Sequence, residues 1–354
     1  MCYLEKHVMM LDFITPQCNY NTHNFKNPLF CGVLANTLLS TVPGLSGAGP
    51  SPKGSLLVPV LDAELITNGE ITSSSATPNT PTGCPTPASI TRAMMELINH
   101  DPLFVNAGLC HKPTVPCYDI CGEVGQDPRA GPALQDPQYL FEAGKRLGTK
   151  LSRCYDLIVI GECVPGGTTT ALLVLRSLGY NAHVSSAYPN NPSELKENVV
   201  KAVFSRINAE KCHDPWYIMK QCADPMMPVV CGIAAGCNEN HSLLILAGGT
   251  QMLAVAALIK ALGNKIPPIA TTIYVKEDPS SNITEIAELI KTSIWYVDPD
   301  FGKLGHKGLA RYCIGEVKEG MGAGGAMMLA YLLGKTPDEI KETILAKAHA
   351  YSRE

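Results

Sequence analysis

The strongest constraint on this chain is a repeated succession of a short apolar run, a glycine- or threonine-rich turn and a helix-length segment. Asp156-Leu-Ile-Val-Ile160 leads into the turn residues 161–170 and a helical stretch over 171–178. Leu243-Leu-Ile-Leu-Ala247 leads through Gly248-Gly249-Thr250-Gln251 into a helix over 252–262. Residues 268–275 form a third apolar run, and Asn282-Ile-Thr-Glu285 is placed to cap a helix through Ile294. Continuously apolar strands alternating with helices call for a parallel sheet covered on both faces. The expected fold is α/β: a doubly wound, mostly parallel sheet with helices on both faces, plus a smaller N-terminal or helical subdomain.

Three segments are expected along the chain. Residues 1–54 read as an N-terminal extension or small subdomain, because 28–54 are punctuated by Pro43-Gly44, Gly47 and Gly49-Pro50. Residues 55–335 read as a nucleotide-binding α/β catalytic domain, and 336–354 as a C-terminal helix packed on it, capped by Thr336-Pro-Asp-Glu339. Within the large domain, Leu56-Leu-Val-Pro-Val-Leu61 reads as a strand, with Pro59 arguing for an edge and Asp62 and Glu64 at its exit. A helix over 88–99 would bury Ile90, Ala93, Met94 and Leu97, and 103–107 reads as a strand. Residues 110–137 form a long loop, of the kind that is usually functional or mobile. Asn191-Pro-Ser-Glu194 reads as a capping box for a helix burying Leu195, Val199, Ala202, Val203 and Ile207.

Composition removes several function classes. With 354 residues, 45% of them hydrophobic, the chain can bury a large core. A net charge of −4 points to neither a nucleic-acid nor a membrane-surface partner. The apolar stretch 243–262 is broken by Gly248-Gly249-Thr250-Gln251 and so reads as strand–turn–helix, not as a membrane span. Glu5, Lys6 and His7 precede any apolar run, which is not the pattern of a secretory signal. The 14 cysteines include no CxxC pair, Cys117 and Cys121 being spaced by three residues. They are expected to be small buried hydrophobes in a reducing cytoplasm, metal-free and unpaired.

Ligands of doubly wound sheets sit beyond the carboxyl ends of the strands, and three loops leave those ends here. In Gly161-Glu-Cys-Val-Pro-Gly-Gly-Thr-Thr-Thr170, the N–H groups of Gly166 and Gly167 and the hydroxyls of Thr168, Thr169 and Thr170 could cradle a phosphate. No Lys-Ser/Thr pair follows the glycines, so nucleoside triphosphate hydrolysis is disfavoured. Gly248 and Gly249 open the second loop, which lacks the G-x-G-x-x-G dinucleotide pattern. The third runs through Asp298-Pro-Asp-Phe-Gly-Lys-Leu-Gly-His306 to residues 315–326, with glycine at 315, 320, 322, 324 and 325. That run opens a helix over 326–333 ended by Gly334, and it holds two acids, Glu316 and Glu319. Beside a bound anion their pKa values should rise. A tight helix–sheet crossing with solvated glutamates is the plainer alternative. A helix cap explains any one of these loops; three of them, with Glu162, Glu316 and Glu319, point to an active site.

Taken in order, Gly161-Glu162, Gly166-Gly167-Thr168-Thr169, Gly305-His306 and Lys318-Glu319-Gly320-Met321-Gly322-Ala323 resemble the nicotinate-nucleotide–dimethylbenzimidazole phosphoribosyltransferase family. The chain is most similar to the archaeal branch, which shares Pro81-Thr-Gly-Cys-Pro-Thr-Pro87 and Leu246-Ala-Gly-Gly-Thr-Gln-Met252. Val164 and Gly167 stand where the bacterial loop has glycine and asparagine. The resemblance covers roughly residues 55–335. It implies transfer of phosphoribose from nicotinate mononucleotide to a benzimidazole-like aromatic base, giving an α-ribazole phosphate for the lower ligand of cobamides. It also implies Glu319 as general base, Glu162 as an assisting or positioning acid, Gly320 and Gly322 as room for a flat base, a homodimer, and neither cofactor nor metal. His306 is open to two readings, a phosphate or ribose contact or a helix-cap histidine. Transfer to a purine or another azole, or a non-catalytic nucleotide-binding regulatory role, are the alternatives.

Overall fold

The computed structural model describes residues 13–16, 18, 20, 25–239 and 242–352. Most of the arm expected over 1–27 lies outside them. The described strands are β1 (Ile14–Thr15), β2 (Pro28–Ala35), β3 (Leu103–Gly108), β4 (Tyr118–Asp119), β5 (Leu157–Cys163), β6 (Leu243–Ala247), β7 (Ile269–Thr272) and β8 (Ile294–Val297). They form one eight-stranded sheet in the order β1-β8-β7-β6-β5-β2-β3-β4. Only β1 runs antiparallel to its neighbour. The chain moves outward one way from β2 to β3 and β4, and the other way from β5 to β8. Its topological switch point is therefore the β2–β5 pair, where a ligand crevice is expected.

Helices cover both faces: α1 (Val58–Asn68), α2 (Pro87–Ile98), α3 (Pro137–Cys154), α4 (Gly167–Ser177), α5 (Ser193–Arg206), α6 (Met226–Cys237), α7 (Thr250–Ala261), α8 (Ala323–Leu332) and α9 (Pro337–Tyr351). The two-residue period of β5 sorts the core. Ile158 and Ile160 pack with Leu147, Leu173, Val230 and Leu258 of α3, α4, α6 and α7. Leu157, Val159 and Cys163 face the opposite layer, with Met94, Met327 and Ile344 of α2, α8 and α9. Each fully buried side chain of this size stabilises the fold by about 1.5–3 kcal/mol.

Several expectations are corrected. Residues 56–61 are not a strand: a 3₁₀ turn over Gly54–Leu57 runs into α1. Pro59 sits in the first turn of that helix, where its missing N–H costs nothing. The segment before residue 54 is not wholly peripheral, because β2 is entirely buried and pairs with both β3 and β5. Its Gly32 allows close packing: a Cβ there would lie 2.7 Å from Phe104 Cε1. Ile294 begins β8 and does not end a helix, which spans Ile283–Ile290. α5 starts at Ser193 with no side-chain cap; the Asn191 amide instead donates to Val184 O and Ser280 Oγ, and Leu195 is exposed. α6 was not anticipated. Its Gly232 and Gly236 let it touch α3, for a Cβ there would meet Phe141 O at 2.0 Å and Lys145 O at 2.3 Å. The Thr336 capping box is present as expected.

Candidate active site

A cavity of about 670 Å³ opens at the switch point, in the size range of small-molecule sites. Its wall draws on the segments that follow β2, β5 and β6, on α1, and on residues 317–320 before α8. The alternation along β5 divides it into two halves. Glu162 faces the layer of α4 and α7, while the next residue, Cys163, faces α1. The half toward α4 is polar, with Thr168, Ser185, Ser186, Gln251 and Lys318 at its wall. The side toward α1 carries Leu57, Val58, Leu61, Ile71 and Pro87, with Asp62 among them, and the 74–86 segment adds Ser74, Thr77, Asn79, Thr80 and Thr86 to the wall.

Glu319 lines the cavity, and its carboxylate occupies the N-terminus of α8. It accepts from Gly320 N (3.1 Å), Gly324 N (3.3 Å), Thr272 N (3.0 Å) and Thr271 Oγ1 (3.1 Å). The anion that this helix end attracts is therefore the protein's own. Burial raises the Glu319 pKa and outweighs these four donors, which pull it down. Gly320 at φ +156 and Gly322 at φ +66 carry the chain back toward the helix start. Met321 N ties this turn to β5 by donating to Glu162 O (3.0 Å).

The Glu162 side chain is buried at the cavity wall. Burial raises its pKa to about 8, opposed by the Gln251 side chain and helped by the negative charges of Asp224 and Glu319. Asp62 is a third perturbed acid, raised by burial to about 7 against a bond from the Cys163 thiol (3.3 Å). Three carboxyl groups held toward their neutral forms around one cavity suit proton transfer near neutral pH.

Of the residues expected at the site, Glu162, Glu319, Gly166, Gly167, Thr168, Gly249 and Gly320 line the cavity. Thr169, Thr170, Gly248 and Gly322 do not. The Thr170 hydroxyl points into the core, donating to Asp224 Oδ2 (2.6 Å) and Gly167 O (2.9 Å). Thr169 is also fully buried. Gly322 packs against β5, where a Cβ would lie 2.8 Å from Gly161 Cα. Gly167 is part of the wall, yet the first thing a Cβ on it would meet is Gln251, at 1.7 Å from Oε1. His306 lies away from the cavity: its Nδ1 accepts from Leu309 N (3.1 Å) and its Nε2 meets Ser352 Oγ (3.0 Å). The cap reading is the one the structure supports. Glu316 also lies outside and takes bonds from Thr80 (2.6 Å), Thr82 and Arg311. Burial pushes its pKa up, but these partners win and lower it, the reverse of the expected rise.

Sequence reasoning did not single out Gln251 or Lys318 as site residues, and it noted Asp62 only as an acid after a strand. Lys318 Nζ donates to Ser186 O (2.9 Å), Tyr188 O (3.1 Å) and Gly315 O (3.0 Å), and pairs with Asp278 Oδ2 at 3.3 Å. Lys196 Nζ donates to Ser185 O (2.8 Å), and Ser185 Oγ donates to Asp278 (2.6 Å). This buried Lys–Asp–Lys group fixes the 185–188 wall against residues 315–318. Only contacts between distant segments reveal it. No period in residues 56–61 marks Asp62 in the sequence. The described cysteines are free thiols, and no group of three His, Cys, Asp or Glu able to hold a metal occurs among the described residues. No helix among them is long and apolar enough to cross a membrane.

Comparison with solved structures finds the same fold in two crystal structures from Thermus thermophilus. The nicotinate-nucleotide-dimethylbenzimidazole phosphoribosyltransferase of that organism aligns with a TM-score of 0.57 at 13% identity, covering 93% of this chain and 87% of that one. A CobT structure from the same source gives 0.61 at 12%, covering 93% and 84%. No family model matches the chain. Among curated proteins, UPF0284 proteins of Methanosarcina acetivorans and Thermococcus gammatolerans are each 44% identical, over 327 and 322 residues. The matches span 90% and 89% of this chain and 93% and 96% of those proteins. A third, from Methanothermobacter thermautotrophicus, is 42% identical over 332 residues. At this identity and coverage the chain belongs to the UPF0284 protein family.

Proposed function

We propose that this protein transfers the phosphoribosyl group of nicotinate mononucleotide to a benzimidazole-like base, giving an α-ribazole phosphate for cobamide assembly. The observation that carries the reading is convergence. Glu162, the 166–168 turn, the 249–251 turn and Lys318-Glu319-Gly320, which carry the motif resemblance, meet at one cavity at the switch point of the sheet. The shared fold with the Thermus enzymes is consistent with it.

In this reading the nucleotide phosphate sits at the N-terminus of α4, where Gly166 and Thr168 reach the wall. The accepting base lies against the apolar side chains of the other half. Glu319 takes the azole N–H proton while the partner ring nitrogen forms a bond to the ribose anomeric carbon. The bond to the nicotinate nitrogen breaks with its electron pair, turning the pyridinium into a neutral pyridine ring. Attack opposite the leaving group inverts the β nucleotide to an α product. Glu162, largely neutral at pH 7, limits the negative charge beside Glu319. The test is nicotinate release, followed chromatographically with and without added azoles. Base-dependent release supports the reading. No release with any azole or purine, from protein that binds nicotinate mononucleotide, sinks it in favour of a non-catalytic role.

A further inference from the structure

The side of the cavity formed by α1 carries one carboxyl group, that of Asp62. α1 turns Val58, Leu61 and Asp62 toward the cavity at helical spacing. Val58 and Leu61, with Leu57, Ile71 and Pro87, make a wall suited to the face of a flat ring. Asp62 sets a carboxyl group into that wall. Its Oδ2 accepts from the Cys163 thiol at 3.3 Å, a weak donor, and its Oδ1 has no hydrogen-bond partner among the described residues. Asp62 lines the cavity and is only partly buried, so Oδ1 has acceptor capacity left for a ligand there.

A ligand bearing only methyl groups on this side would cover the carboxyl and strip its water without replacing the bond. That leaves an acceptor desolvated and unpaired, at a cost that is larger for a charged group than for a neutral one. A ligand with an N–H or O–H at the same place would satisfy it. We infer that Asp62 selects the accepting base, favouring flat azoles that carry an amino or hydroxyl donor on the ring remote from the reacting nitrogen over dimethyl-substituted ones. The inference rests on the phosphoribosyl-transfer reading for its orientation, with Glu319 taking the proton at the reacting ring and Asp62 accepting from the other. It goes beyond that reading by naming the class of base.

The experiment measures binding and turnover separately. Calorimetry with the full chain compares 5-aminobenzimidazole and 5-hydroxybenzimidazole with 5,6-dimethylbenzimidazole, and nicotinate release is followed with each. The wild type is expected to bind the donor-bearing bases at least about 10-fold more tightly than the dimethyl base. Asp62→Leu should reverse that order, losing about 10–100-fold for the donor-bearing bases while holding or improving the dimethyl base. Asp62→Asn, which keeps an acceptor oxygen, should retain the wild-type order, and Asp62→Ala replaces the leucine variant should that one not fold. Equal or tighter binding of the dimethyl base by the wild type overturns the inference. So does a selectivity ratio unchanged by Asp62→Leu or Asp62→Ala. Selective binding without nicotinate release keeps the role of Asp62 and removes the transferase reading. Release at equal efficiency with all three bases does the opposite.

Discussion

The Gln251 side chain rests directly on Gly167: a Cβ at residue 167 would stand 1.7 Å from Oε1 and 2.5 Å from Cδ of that amide. The Gln251 side chain in turn favours the charged form of Glu162. The turn after β5 and the helix after β6 are thus joined through a missing side chain, and Gly167 has a positioning role as well as a place in the wall. Gly167→Ala is expected to displace the amide and lower kcat by about 10-fold, in line with the cost of misplacing a catalytic group. Gln251→Ala should cost about the same, and the double variant little more than either, because residues acting through one contact are not additive. Steady-state kinetics of the four proteins checks this. Additive losses would mean that the two residues act separately.

Glu162 gives stability a pH dependence of defined sign. Its folded pKa of about 8 lies above the ordinary 4.5, chiefly through burial. Between those values the folded protein holds a proton that the unfolded chain releases. This contribution is therefore complete below about pH 4.5 and is lost as pH rises toward about 8. Asp62 and Asp224, raised to about 7 and about 6, act in the same direction. Glu162→Gln cannot ionise, so its Tm should fall less than that of the wild type between pH 5 and pH 9. Thermal melts across that range decide the matter. Parallel curves would remove Glu162 as the source.

The parts of the fold legible in sequence are those specified locally. β5 and β6 are short apolar runs closed by glycine, and the Thr336 cap uses side chains three residues apart. Glu162, Glu319 and Gly166–Thr168 were found for the same reason, since each lies at an element end: Glu162 near the end of β5, Gly166–Thr168 at the start of α4 and Glu319 just before α8. Residues 56–61 failed because an unbroken apolar run has neither the two-residue nor the 3.6-residue period, and Pro59 fits an edge strand and a first helical turn equally well. β2 and α6 failed because their glycines serve contacts with Phe104 and with α3, partners distant in sequence. Asp62 became visible only once its segment was a helix and Cys163 was opposite it.

His306 separates a structural from a functional histidine. Its Nδ1 must be unprotonated to accept from Leu309 N, and burial together with nearby His349 lowers its pKa accordingly. The ring meets His349 at 4.9 Å between centroids and Ser352 at 3.0 Å, so it anchors the end of α9. His306→Ala is expected to destabilise the protein by about 1–2 kcal/mol. Once folded, it should leave the KM for nicotinate mononucleotide within about 2-fold. Denaturant unfolding and steady-state kinetics on one preparation give both numbers. A large rise in KM with stability intact would restore the phosphate-contact reading.

The two glutamates before α8 offer the sharpest contrast, since they are three residues apart and held in opposite ways. Glu319 faces the cavity with a raised pKa; Glu316 lies outside it, bonded by Thr80, Thr82 and Arg311 with a lowered one. Glu319→Gln keeps the shape but only one acceptor oxygen, so its amide NH2 meets either Gly320 N or Thr272 N, and it cannot take a proton. It is expected to cut kcat by about 10²–10⁴-fold with nucleotide binding preserved. The loss should shrink for more acidic azoles, which surrender the proton without a base. Glu316→Gln weakens the clamp on residues 80–82, so it should cost about 1–2 kcal/mol of stability and leave kcat nearly unchanged. Measuring kcat against azole pKa for both variants tests the assignment. If Glu316→Gln abolishes turnover while Glu319→Gln remains active, the roles are reversed. If both stay active, the turn before α8 is only a close crossing of helix and sheet.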